Sequence, residues 1–181
     1  MSAIVATFGI IMFGAMVLAT KYHFRGDQIS TRMKLISAIS FTGFTIFLYG
    51  ISYREPSAER AAVSTFLFLS ALSLFLWAII STRQTRLYLA FSSLVPKSVV
   101  RGGPYAYMRH PFYVSYVLFW TGCATATFDA ASLVTLFILA TLYYRAARTE
   151  EADLLNSDIA DEYRRYINTG SSNSENTSRV E

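Results

Sequence analysis

The chain has 181 residues, of which 53% are apolar, 15% aromatic and only 15% charged. Soluble domains carry about 25% charged residues, so a chain this poor in charge could not cover its own surface in water. Composition therefore excludes disorder, a collagen-like fibre and a soluble enzyme, and points to a membrane protein.

Ala3 to Ala19 is uncharged, and at 1.5 Å per residue spans about 25 Å. No Lys or Arg precedes it, so it lacks the basic region of a signal peptide and reads as a retained first helix. A polar loop from Lys21 to Lys34 leads to a second apolar span, Leu35 to Tyr53. The charged turn Arg54-Glu55-Pro56-Ser57-Ala58-Glu59-Arg60 precedes a third, Ala61 to Ser81. The mixed segment Thr82 to Pro111 holds three of the chain's four prolines. From Phe112 to Tyr144 the sequence is apolar again, broken only by Asp129. One helix of that length would reach about 50 Å, against a hydrocarbon core of about 30 Å. A tight hairpin turning at Phe128-Asp129 resolves this, with Asp129 as N-cap of its second helix. The expected fold is all-α with five transmembrane helices.

Basic residues test that count. Of the 16 Lys and Arg, 14 fall in the first loop, the third loop and the C-terminal part, and 2 in the second loop. The positive-inside rule then puts the N-terminus outside, and the C-terminus and third loop in the cytoplasm. In a membrane protein the formal net charge of +4 reports orientation, not a nucleic-acid partner. Beyond Tyr144 the chain reads as an amphipathic helix, with Leu155, Ile159, Tyr163 and Ile167 recurring every four residues. The tail from Asn168 to Glu181 is rich in Ser, Asn and Thr and reads as disordered. Residues 1–81 thus form a three-helix N-terminal part, 82–167 a catalytic region and 168–181 a tail. The single cysteine, Cys123, lies in an apolar run as a packing residue, and with His23 and His110 it makes no zinc pattern.

The chemistry concentrates in Arg101-Gly-Gly-Pro-Tyr-Ala-Tyr-Met-Arg-His-Pro-Phe-Tyr113. Two glycines and a proline make a turn, and His110-Pro111 suits a helix start. On spacing alone, the same residues would also serve as basic anchors and interfacial tyrosines. A second cluster, Arg145, Arg148, Glu150 and Glu151, ends the fifth span. Arg148 and Glu151, three apart, can pair on a helix surface for a few tenths of a kcal/mol. Because the last two spans form a short hairpin, both clusters should meet at the cytoplasmic boundary in one polar pocket.

Gly103-Pro104-Tyr105, then Arg109-His110-Pro111-Phe112-Tyr113, then Glu150-Glu151 with Leu154 and the Tyr163/Tyr166 pair, resembles the isoprenylcysteine carboxyl methyltransferase family, which groups with integral-membrane phospholipid methyltransferases. The likeness covers roughly Lys97 to Tyr166. It implies S-adenosylmethionine as cofactor, with contacts from Lys97, Ser98, Val99 and Val100, and from Tyr105, His110, Pro111, Phe112, Tyr113, Glu150 and Glu151. It also implies a substrate-side arginine, Arg148 or Arg145. Two departures bear on the substrate. Ser115 stands where the family often has Gly, and Asn168-Thr169-Gly170 replaces the usual Arg-x-x-Pro.

The residues agree with that resemblance independently. No strand followed by Gly-x-Gly-x-x-Gly is present, which disfavours a soluble dinucleotide-type methyltransferase domain. A sulfonium cation is stabilised by tyrosine faces by about 0.5–2 kcal/mol. A carboxylate acceptor is already deprotonated at neutral pH and needs no strong base, only positioning, with an arginine holding it bidentately. The expectation is therefore O-methylation of a carboxylate on a lipid-soluble, isoprenylcysteine-like acceptor, among membrane lipids. Lipid-amine N-methylation is the enzymatic alternative and would require a base. A membrane enone reductase is disfavoured by Val114-Ser115-Tyr116 after the His-Pro-x-Tyr run. A scaffold or transporter subunit would show charges within its spans, and the first three have none.

Overall fold

The structure, a computed structural model, describes residues 1–22, 30–83 and 99–177. Six α-helices follow in order: α1 (Ser2–Tyr22), α2 (Thr31–Tyr53), α3 (Ala58–Ser81), α4 (Pro111–Thr127), α5 (Ala130–Leu155) and α6 (Ala160–Thr177). A single 3₁₀ turn, Gly103–Ala106, lies before α4, and no strand occurs among the described residues.

The helix starts are written locally. Ser30 accepts from Met33 N at 3.2 Å and Ser57 from Arg60 N at 3.3 Å, each satisfying an orphan donor of its first turn. At the hairpin, Phe128 takes the left-handed conformation (φ 48°, ψ 48°) that stops α4. Asp129 then accepts from Ser132 N at 2.9 Å and starts α5. The expected turn at Phe128-Asp129 and the cap at Asp129 are both present.

α1, α2, α3 and α5 are long and apolar enough to cross a membrane. α4, at 17 residues, is shorter, about 25 Å at 1.5 Å per residue. It is also the helix most enclosed by the others. Phe119, Trp120, Gly122, Cys123 and Ala124 are all buried, and Cys123 sits among them as a packing residue. The core is a stack of rings: Phe47, Phe68, Phe75 and Phe119 are fully buried, with Phe68 and Phe119 centroids 5.5 Å apart. Such packing, not hydrophobicity, holds helices together in lipid. Gly122 permits it, because a Cβ there would lie 2.7 Å from the Phe68 ring. Outside, Ile10, Leu18, Phe66, Ile80 and Phe137 are exposed, an apolar surface that suits lipid and not water. The protein is an all-α polytopic membrane protein.

Two expectations for the C-terminal part are corrected. Leu155 and Ile159 do not continue into one amphipathic helix with Tyr163. α5 runs unbroken to Leu155 and a turn at 156–159 separates it from α6. Asn156 and Ser157 cause the break: Asn156 Nδ2 donates to Ala152 O at 2.9 Å and Ser157 Oγ to Leu154 O at 2.7 Å, drawing the backbone off its helical course. α6 in turn continues to Thr177, through most of the segment expected to be disordered. Adding residues to a formed helix is far easier than starting one, and Ser, Asn and Thr only slow that growth.

Candidate active site

The site begins at a glycine. Gly103 has φ +62°, and a Cβ there would collide with Ser81 Oγ at the end of α3. Only glycine allows this conformation against that neighbour. Pro104 opens the 3₁₀ turn and is buried, and its carbonyl accepts from Tyr107 N at 3.1 Å and Met108 N at 3.0 Å. The turn delivers His110 as the residue before α4, with Pro111 at the first helical position.

His110 does not cap α4 with its side chain. It crosses to α5 instead, where Nε2 lies 3.2 Å from Glu151 Oε1 and Nδ1 3.8 Å from Glu150 Oε2. One turn along α4, Tyr113 donates its hydroxyl to Glu150 Oε1 at 2.5 Å. The two clusters predicted to meet across the hairpin do meet. Burial holds His110 below its ordinary value of 6.5, although Glu151 acts to raise it.

The two acids have different company. Glu151, whose side chain is 14% exposed, draws Arg109 (3.5 Å), His110 (3.2 Å) and Arg148 (3.5 Å). Glu150 has the Tyr113 hydroxyl and the more distant histidine, and no arginine among the described residues. Tyr113 and Tyr116 are the α4 tyrosines that Glu150 acts on, and both pack on Tyr143, Tyr113 stacked at 5.8 Å and Tyr116 at 5.3 Å. Trp120 Nε1 donates to the Tyr143 hydroxyl at 3.3 Å and fixes the ring from below.

Arg148 reaches this cluster and Arg145 does not. At about 100° per residue, Arg148 lies some 60° from Glu151 round the helix, and Arg145 some 120° away in the same direction. Arg145 is exposed and pairs with no acid among the described residues. Pro111 and Phe112 are buried in the packing, Phe112 edge-on to Phe75 at 5.4 Å, so they form a wall behind the polar groups. Tyr105 offers its carbonyl to the Tyr166 hydroxyl at 2.6 Å, and Val99 N donates to Glu162 Oε1 at 3.4 Å. Val100 is half-buried; Lys97 and Ser98 lie outside the described residues.

Sequence reasoning names no site role for Tyr116, Tyr143 or Glu162, and has Tyr163 only in the helical repeat and the Tyr163/Tyr166 pair. Their signal was helical spacing: Tyr116 is one turn after Tyr113, and Tyr143 two turns before Glu150.

A family model, phospholipid methyltransferase, matches residues 59–157, which is 99 of the 181 residues. The chain belongs to the phospholipid methyltransferase family. No curated protein and no solved structure matches it. The match runs from the first turn of α3 to just past the end of α5. It therefore contains Gly103, His110, Tyr113, Glu150 and Glu151, and stops short of α6. As a member of the phospholipid methyltransferase family, the protein is a membrane methyltransferase, of a family that uses S-adenosylmethionine.

Proposed function

We propose that the protein transfers a methyl group from S-adenosylmethionine to an amine on a lipid head group, in the pocket between the start of α4 and the end of α5. The observation that carries this is Glu150, an acid bonded to the Tyr113 hydroxyl at the edge of a cluster of tyrosine rings, with no arginine among the described residues to neutralise it.

The residues fit the cofactor. Tyr113, Tyr116 and Tyr143 supply aromatic faces and Glu150 the charge that a sulfonium favours, while the buried Tyr163 hydroxyl has no partner among the described residues. These groups, with His110 and Glu151, would hold it. When bound, S-adenosylmethionine supplies a methyl group on sulfur open to in-line attack. An alkylammonium must first lose a proton. Glu150, through the oxygen not taken by Tyr113, and the neutral His110 beside it can accept that proton. Phe112 and Phe75 behind them keep water out. The apolar tail stays in the bilayer, since exposing it would cost about 0.8 kcal/mol per CH₂.

A carboxylate acceptor is the second reading. Arg148 favours it: its side chain is 68% exposed and held to Glu151 by a 3.5 Å contact, a pair an incoming carboxylate could replace. What weakens it is that Arg145 is turned away, which leaves Arg148 as the single arginine on that face of α5. The two separate in one assay of detergent-purified protein with labelled methyl donor, an ethanolamine phospholipid and a prenylated-cysteine carboxylate. Methylation of the amine supports the first reading; methylation of the carboxylate alone replaces it.

The same reading places the N-terminus outside and the site in the cytoplasm, with α4 as a fifth, short span. The support is the 14-to-2 division of basic residues. Reporter fusions at Ser2 and Glu181 should report opposite sides of the membrane.

A further inference from the structure

Among the described residues, two buried side-chain oxygens have no hydrogen-bond partner, Ser64 Oγ within α3 and the Tyr163 hydroxyl on α6. Ser64 sits mid-helix in the apolar core. Tyr163 is different: it is 3% exposed, yet the groups acting on it electrostatically are Glu151, Arg109, Tyr166 and Glu150 of the site. A buried hydroxyl without a partner has given up its water for nothing in the protein.

The hydroxyl cannot readily swing out to water, because α6 is fastened down on both sides of it. Tyr166 donates to Tyr105 O at 2.6 Å, and Arg101 donates to Glu162 O at 3.2 Å. Glu162 Oε1 also accepts from Val99 N and pairs with Arg101 at 3.7 Å. Burial pushes Tyr163 up to about 12, so it stays protonated at neutral pH and can donate.

The charges around the pocket have a direction. At the Tyr113–Tyr143 end lies Glu150 without an arginine; towards α6 lies Arg109, whose 3.5 Å contact with Glu151 is long for an ion-paired hydrogen bond and leaves guanidinium donors to spare. A ligand with a cationic centre and a carboxylate would align with that polarity. We propose that the Tyr163 hydroxyl is a ligand-binding donor which, with Arg109, takes the amino-acid carboxylate of the methyl donor. This rests on the methyl-donor reading of the site above, and it adds α6, which lies beyond the family match, to the binding machinery.

The test uses the detergent-purified full chain, S-adenosylhomocysteine as probe, and 5′-methylthioadenosine, which lacks the amino-acid part, as competitor. For Tyr163→Phe we expect S-adenosylhomocysteine binding by calorimetry to weaken roughly ten- to a hundred-fold, the range of a hydrogen bond to a charged group. Methylthioadenosine affinity should be unchanged, and the unliganded melting temperature equal to or above that of the parent. Unchanged S-adenosylhomocysteine affinity would overturn the proposal. Equal weakening of both probes would move the hydroxyl to the adenosine end and overturn it too. A clearly lower unliganded melting temperature would show a structural partner for Tyr163 and also refute it. If the parent itself binds no S-adenosylhomocysteine, the methyl-donor reading fails first, and this inference with it.

Discussion

Tyr113 on α4 donates its hydroxyl to Glu150 on α5 at 2.5 Å, tying the entry of one helix to the exit of the next across the membrane hairpin. The two residues, 37 positions apart, return to the same place because Phe128 and Asp129 reverse the chain. Tyr113→Phe keeps the ring on Tyr143 and removes one hydrogen bond to a charged acceptor, worth about 1.5–3 kcal/mol. Tyr143→Phe loses only neutral contacts, with Trp120 and Ser40, each worth about 0.5–1.5 kcal/mol, and no bond to the acid. Calorimetric titration with S-adenosylhomocysteine should show the larger loss of affinity for Tyr113→Phe.

Glu151 carries more of the local charge balance than any of its partners. Glu151→Gln leaves Arg109, His110 and Arg148 without their shared acid, at a cost of about 1–3 kcal/mol for partly buried groups. Arg148→Gln removes one exposed partner and costs about 0–1 kcal/mol. Thermal melts in detergent should rank the two in that order. The reverse order would mean that the cluster is not organised around Glu151.

The protein should lose stability in mild acid through His110. Burial keeps the folded histidine below 6.5, the value it takes when exposed, so the unfolded chain binds the proton more tightly. The stabilising contribution is complete above 6.5 and is lost as pH falls below it, through the depressed folded value. His110→Gln should flatten the melting temperature between pH 7.5 and pH 5, leaving the slope from other groups. An unchanged profile would show that His110 does not titrate as its burial requires.

Gly103→Ala should be among the most damaging single changes outside the core. It adds a Cβ where Ser81 Oγ already sits and where φ is +62°, at about 1–3 kcal/mol for the strained backbone alone. Gly102→Ala, with open space around it, is the matched control. Comparing their melting temperatures and methyl-donor binding would show whether the turn positions His110.

Much of this architecture was legible in the sequence, because the features that encode it are local. The length of an apolar run decides whether a helix can span lipid. The hairpin followed from one polar residue, Asp129, in a run too long for one span. Gly-Gly-Pro and His-Pro marked a turn and a helix start without reference to anything distant. The meeting of His110 and Tyr113 with Glu150 and Glu151 followed from the hairpin alone, since two helices joined by a tight turn return their ends to one level.

What the sequence could not decide depends on the direction in which side chains point and on what lies beside them. Arg145 and Arg148 look equivalent as letters, three apart at the end of one helix. The face of α5 that meets Arg109 and His110 is the one carrying Glu151 and, beside it, Arg148, while Arg145 lies further round the helix. Glu150 and Glu151 are likewise neighbours in sequence, yet one is surrounded by cations and the other by tyrosine rings, because successive residues leave a helix about 100° apart. The break at Asn156-Ser157 arises from side chains bonding to nearby backbone, a competition whose outcome apolar periodicity does not reveal. The lone hydroxyl of Tyr163 is a purely tertiary fact: the packing of α6 on α5 and its tie to the 3₁₀ turn bury it without giving it a partner among the described residues.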